Sequence, residues 1–236
     1  MPDAYLYTKP RIRFCGDRAI IVEYGEGIDR TVNEKVRAMA AMLRKSLPRG
    51  VEAIIPAYRS LSLLYNPLMV STDQIAKAIE AAEKNLRQTE IAEPRIVEIP
   101  VCYGGEFGPD LEIVADHNSL DAGEVIAVHT SVDYHIYMIG FAPGFCYLGG
   151  LDRRLHTPRR KTPRTLLPAG SVGIAESQTG MYPQDSPGGW QIIGRTPLRL
   201  FAPWREEPFL YRAGDRIRFV SVTEEQFHRV YEKEWG

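Results

Sequence analysis

Six cationic side chains crowd into the twelve residues from Arg153 to Arg164: Arg153, Arg154, Arg159, Arg160, Lys161 and Arg164. Pro158 and Pro163 hold that segment extended rather than helical. Guanidinium groups grip carboxylates and phosphates bidentately, so the run suits binding of an anionic ligand, or of an acidic partner face, better than catalysis. A solvated basic turn is the alternative. Upstream, His135 and Tyr137 alternate in DYHIYMIGF and would share one face of a strand that leads into Gly140. An imidazole beside a phenol could bind a ligand or shuttle a proton near neutral pH, with cross-strand packing as the alternative. Downstream, PAGSVGIAESQTGMYPQDSPGGW sets Ser171, Gln178, Thr179, Tyr182 and Ser186 among glycines that let the backbone approach a ligand. The candidate substrate-binding residues are therefore His135, Tyr137, Arg159, Arg160, Arg164, Ser171, Gln178, Thr179, Tyr182 and Arg195, the last in a Gly-Arg-Thr-Pro turn; Trp190 reads as a packing anchor.

No nucleophile and base are paired by spacing, so the catalytic residues stay unassigned. The five histidines, His117, His129, His135, His156 and His228, show neither HExxH nor HxxxH spacing, and no metal is expected. His117 and His129 read as helix-surface residues. Cys15, Cys102 and Cys146 are far apart and lack a CxxC pair, which points to reduced thiols, with Cys146 a small buried hydrophobe. Neither GxxxxGK[ST] nor a strand-linked GxGxxG occurs, so this chain carries no nucleotide loop of that kind.

These residues need elements to hold them. AIIVEY (19–24) reads as a strand, and Thr31 with Glu34 has capping-box spacing before a helix whose apolar stripe runs from Val32 to Leu47. VEAII (51–55) and LSLLY (61–65) read as a hairpin. Ser71 with Gln74 opens a second helix, ending near KNLRQTE, and RIVEIPV (95–101) closes a β-α-β-β-α-β order. Asp110 is placed to cap one helix, and Asp121 with Glu124 a second. Short strands between Gly/Pro turns follow, including YHIYMI (134–139), QII, LRLF and RIRFVSV (216–222), before a closing helix capped by Thr223 and Gln226. The expected fold class is α+β, with an N-terminal split-βαβ-like sandwich over 1–92 and a β-barrel over 93–236 that carries a helical pair at 109–131. Half of the 20 glycines and eight of the 17 prolines lie between Gly140 and Pro203, too much punctuation for a linker.

A net charge of −1 offers no general attraction for nucleic acid or anionic membranes. No apolar run is long enough to span a bilayer and the first residues lack signal-peptide order, so a cytoplasmic location is expected.

The run from GFAPGFCYLGGLDRRL through TPRRKTPRTLLPAGSVGIAESQTGMYPQDSPGGWQIIGRTPLRLF resembles the family called allophanate hydrolase subunit 1. GDRAIIVEYG, PAYRSLSLLYNP and PVCYGGEFGPDLEIVA extend the resemblance over nearly the whole chain. The family includes subunits of bacterial ATP-dependent 5-oxoprolinases and an inhibitor of a sporulation kinase. The resemblance implies a cyclophilin-like barrel and two partners, a related carboxyltransferase-like subunit and a third oxoprolinase subunit. It further implies ATP as cofactor of the complex, and opening of 5-oxo-L-proline to L-glutamate. A histidine-kinase inhibitor, or a component of urea or allophanate metabolism, are the alternatives it leaves. Exposed apolar surface on the barrel is the expected mark of a chain that binds partners.

Overall fold

A proline decides where the first strand can lie. β1 (Leu6–Phe14) contains Pro10, which cannot donate to a ladder, and the strand sits at a sheet edge with a register shift between Leu6 and Arg11. The computed structural model describes residues 5–86 and 93–236, which divide into two compact units, Met1–Glu93 and Pro94–Gly236. In the first unit β1 pairs with β2 (Ala19–Gly25), whose alternate residues Ile20, Val22 and Tyr24 are buried. α1 (Arg30–Ser46), β3 (Val51–Pro56), β4 (Ser60–Tyr65) and α2 (Thr72–Asn85) complete it. The sheet order is β1-β2-β4-β3, antiparallel throughout, and the helices bury Val36, Leu43, Ile75 and Ile79 against it.

Two local expectations change here. α1 begins earlier than the Thr31–Glu34 spacing suggested: the Asp29 carboxylate accepts from Val32 N at 3.1 Å and caps the helix, a better match to its positive end than a threonine hydroxyl. The segment 95–101 does not close this sheet. β5 (Ile96–Tyr103) runs parallel to a strand near the C-terminus of the chain, and β1 holds the edge position beside β2 instead. The Ser71–Gln74 box and the 51–65 hairpin form as read, whereas the end of KNLRQTE falls outside the described residues.

After β5, α3 (Leu111–Asn118) and α4 (Ala122–Thr130) precede β6 (Asp133–Ile139) and β7 (Cys146–Gly149). Then come β8 (Arg164–Leu167), β9 (Ser171–Ala175), β10 (Gln178–Met181), β11 (Ser186–Gly188), β12 (Gln191–Arg195), β13 (Arg216–Ser221) and α5 (Glu224–Trp235). Seven strands in the order β10-β9-β12-β5-β13-β6-β7 curl until the two edges meet, with Gly180 of β10 against the Cys146 carbonyl of β7. The result is a nearly closed barrel, with β8 and β11 as a separate ribbon. Thus the α+β class and the C-terminal barrel are as expected. LRLF forms no strand; Phe201 makes only an isolated bridge to Phe209.

Asp110 fastens this unit internally. It stands at the N-cap of α3, yet its side chain makes no capping bond. At 1% exposure the carboxylate accepts from Arg160 Nη1 (2.9 Å), Arg164 Nη1 (2.7 Å), Arg164 Nη2 (2.8 Å) and Ile192 N (2.7 Å). Its own N–H donates to Ile192 O at 2.8 Å, so one residue ties α3, the arginine segment and β12. Gly108 lets the chain pass: a Cβ there would overlap the Ile193 carbonyl.

His129, expected on a helix surface, is instead fully buried and stacked on Phe219 at 4.5 Å. Thr179 Oγ1 donates its one proton to Gly173 O (3.0 Å), so at 2.9 Å it accepts from His129 Nε2–H. Nδ1 then accepts from the Tyr103 hydroxyl at 2.8 Å. The imidazole is neutral, its pKa pushed down to about 3 by burial.

Two outcomes follow from these buried groups. Asp110→Ala leaves two guanidiniums facing each other and should cost about 3 kcal/mol in urea unfolding, the low end for breaking a buried pair because the arginines stay partly wet. His129 must gain a proton on unfolding below its ordinary pKa of 6.5, so stability should fall as pH drops from 6.5 toward about 3. The fall should be about 2 kcal/mol between pH 7.5 and 5, and urea midpoints of His129→Leu should lose that slope even though the variant is less stable.

Candidate functional site

The loop after β6 turns back sharply and puts an aromatic side chain into solvent. Phe141 has φ +67°, a left-handed conformation that is costly for a residue with a bulky side chain, and is 76% exposed. Behind it Phe145 is buried and acts as a hub. Its ring lies edge-to-face against Phe141 (5.5 Å), Tyr147 (5.0 Å), Tyr182 (5.8 Å) and Trp190 (5.9 Å). Such T-shaped packing satisfies ring quadrupoles and leaves the walls stiff. The β8–β11 ribbon brings Gly188 and Gly189 to the same place, and β10 brings Gln178.

Together these residues enclose a cavity of about 160 Å³, lined by Phe141, Phe145, Tyr147, Tyr182 and Trp190, with Arg159 and Gln178 as its charged and amide groups. The Arg159 guanidinium stands over Trp190 at 5.9 Å. Burial raises the Tyr182 phenol and the charge of Arg159 opposes that shift, so the hydroxyl stays a neutral donor. Gly188 is required by closeness: a Cβ would come within 2.5 Å of Leu167 Cδ1 and 2.6 Å of the Tyr182 hydroxyl. The lining combines apolar rings with one guanidinium and one amide, a composition suited to a small ligand that carries a single anionic group. No histidine or cysteine lines this cavity among the described residues. Cys146, the nearest thiol in sequence, is fully buried and pushed up to about 12 by that burial. The site is therefore built for holding and orienting rather than for covalent attack.

Of the residues singled out by sequence, the structure unites Arg159, Gln178 and Tyr182 in this cavity. Arg160 and Arg164 are drawn to Asp110. Thr179 faces His129 inside the barrel. Ser171 Oγ donates to Pro168 O (2.7 Å) and Arg195 Nε to Ala169 O (2.8 Å), so both brace the turn before β9. His135 and Tyr137 share one face of β6, ring to ring at 4.8 Å, as their alternation suggested, but do not line this cavity. Phe141, Phe145 and Tyr147 were missed. Their signal was the aromatic alternation in GFAPGFCY, which reads equally as core. A larger cavity of about 610 Å³ near Phe209 and Tyr211 holds none of the singled-out residues, and its Arg212 is spent on Glu207 at 2.6 Å.

Comparison with known proteins places these features in a wider set. Residues 10–211 match the profile described as carboxyltransferase domain, subdomain C and D. The chain is 47% identical over 233 residues to the 5-oxoprolinase B subunit of Bacillus subtilis (strain 168), covering 94% of this chain and 97% of that protein. It is 44% identical over 218 residues to the 5-oxoprolinase B subunit of Escherichia coli O157:H7, covering 92% and 98%. The crystal structure of TTHA0988 superposes with a TM-score of 0.77 at 36% identity, covering 87% of this chain and 40% of that one. The Kluyveromyces lactis urea carboxylase shares the fold, with a TM-score of 0.76 at 21% identity over 99% of this chain and 24% of that one.

Substitutions at the adjacent glycines test the cavity walls. Gly188→Ala should cost about 1–3 kcal/mol by driving Tyr182 or Leu167 aside. Gly189→Ala, whose Cβ would meet Pro163 at an ordinary 3.6 Å, should stay within about 0.5 kcal/mol. Paired urea titrations read the difference.

Proposed function

Because the chain belongs to the carboxyltransferase-domain family, subdomains C and D, we propose that it serves as the B-type component of a multi-subunit, ATP-dependent 5-oxoprolinase. The observation that carries this reading is the 47% identity to such a component over almost the full length of both chains. The likeness to urea carboxylase, at 21% identity, speaks for the fold alone. Strong exposure of Phe141, Leu166 and Trp204 on the C-terminal unit supports a surface that meets other subunits.

In this reading the aromatic cavity receives the lactam. 5-Oxoproline is a flat five-membered ring with one carboxylate, small enough for about 160 Å³. The rings of Phe145, Tyr147 and Trp190 sandwich it and exclude water. The Arg159 guanidinium takes the carboxylate, and Gln178 and the Tyr182 hydroxyl lie where they can reach the lactam edge. Orientation is the contribution: a ring held in one pose presents its carbonyl to chemistry supplied from elsewhere in the complex. ATP hydrolysis by the complex drives the opening of a resonance-stabilised amide. Among the described residues no helix is long and apolar enough to cross a membrane.

The test is ATP-dependent glutamate release from 5-oxoproline by the reconstituted complex, with this chain present and then omitted. Turnover should vanish on omission; persistence would reject the subunit role, and silence with folded partners would move the reading to kinase inhibition. Arg159→Ala should raise KM for 5-oxoproline about 10- to 100-fold through loss of a charge-assisted bond. Arg160 is the poorer probe, since it also holds Asp110.

A further inference from the structure

The neighbours of Arg159 are tied down on both sides. Before it, Thr157 exchanges backbone bonds with Glu176, and the Pro158 carbonyl accepts from Gln191 Nε2 at 3.0 Å. After it, Arg160 N donates to Gly189 O at 2.8 Å and the Arg160 side chain is held by Asp110. The Arg159 guanidinium itself is exposed, pairs with no carboxylate among the described residues and stands over the Trp190 ring at 5.9 Å.

Two of these bonds act on Arg159 directly. The Pro158 carbonyl and the Arg159 N–H belong to one planar peptide unit, and the Arg159 carbonyl and the Arg160 N–H belong to the next. Gln191 holds the first plane and Gly189 the second, so both planes that meet at the Arg159 Cα are fixed from the segment that carries Trp190. Guanidinium and ring are thereby set relative to each other. The first tie depends on a side chain: a carbonyl can only accept, so the Gln191 amide must present its nitrogen, and at 7% exposure water is a poor substitute for it. An arginine on a loose loop loses conformational freedom when it meets an anion, and fixing its backbone beforehand removes part of that cost.

We propose that Gln191 is a positioning residue for ligand binding: through the Pro158 carbonyl it aims Arg159 at the carboxylate of the molecule in the aromatic cavity. Gln191 forms none of that cavity's lining, so its effect on binding passes through a residue that does. The inference rests on the reading of that cavity as the site for 5-oxoproline.

The experiment is a double-mutant cycle on the reconstituted complex, with KM and kcat for 5-oxoproline read for the unaltered chain, Arg159→Ala, Gln191→Met and the two combined. Methionine matches glutamine in length and lacks the N–H. Gln191→Met should raise KM about 3- to 10-fold with a smaller change in kcat; in the Arg159→Ala background it should change KM by less than about 1.5-fold, because the arginine it aims is gone. A residue that only supports the fold would act equally in both backgrounds, and the double variant would show the product of the single effects. Product behaviour, or an unchanged KM in Gln191→Met while Arg159→Ala raises it, would overturn the positioning role and leave the reading of the cavity intact. An unchanged KM in Arg159→Ala would reject that reading, and the inference with it. If urea unfolding shows that Gln191→Met does not fold, Gln191→Asn, which carries its amide on a shorter stem, enters the same cycle with the same expected and refuting results.

Discussion

One buried carboxylate organises the C-terminal unit. Asp110 takes bonds from two arginines 50 and 54 residues away and from the backbone of β12, and these bonds locate the basic segment on the barrel. An isolated carboxylate at that depth would be untenable, so the arginines are as necessary to Asp110 as it is to them. Arg159, one residue before Arg160, is thereby placed at the wall of the aromatic cavity. Two guanidiniums on one acid also leave a remainder of positive charge on this segment.

Within the barrel the opposite solution holds. His129, Tyr103 and Thr179 form a chain of neutral hydrogen bonds in which every proton is assigned, and burial keeps the imidazole uncharged. The polar interior therefore contributes specificity of packing without a net charge. At the rim, the Phe145 hub replaces hydrogen bonds with ring contacts, and the strained Phe141 backbone holds an aromatic face outward. A rigid apolar slot with a single cation is well suited to a small carboxylated ring. Among the described residues its lining offers no histidine or cysteine.

Much of the scaffold was legible because its signals are local. The boxes at Ser71–Gln74, Asp121–Glu124 and Thr223–Gln226 close within three residues, and each forms as its spacing suggests. The 51–65 hairpin and the shared face of His135 and Tyr137 follow from a period of two. Where a local signal had a competitor, it failed: Asp29 displaced Thr31 as a cap, and Asp110 was taken from capping by two arginines. In the candidate site, Arg159, Gln178 and Tyr182 were visible as polar chemistry among glycines. The Phe141, Phe145 and Tyr147 walls were not, because an aromatic lining a cavity and one filling a core look alike in sequence.

The order of amino acids is enough to establish the family, the capped helices, the alternating strands and the concentration of glycine, proline and arginine between Gly140 and Pro203. Only the folded chain settles which sheet β5 joins, that His129 turns inward, and which arginines are spent on Asp110. The reason is range. Capping and periodicity act over three or four residues and leave their imprint along the chain, whereas barrel closure and buried charge pairing join residues dozens of positions apart and depend on where the fold brings them.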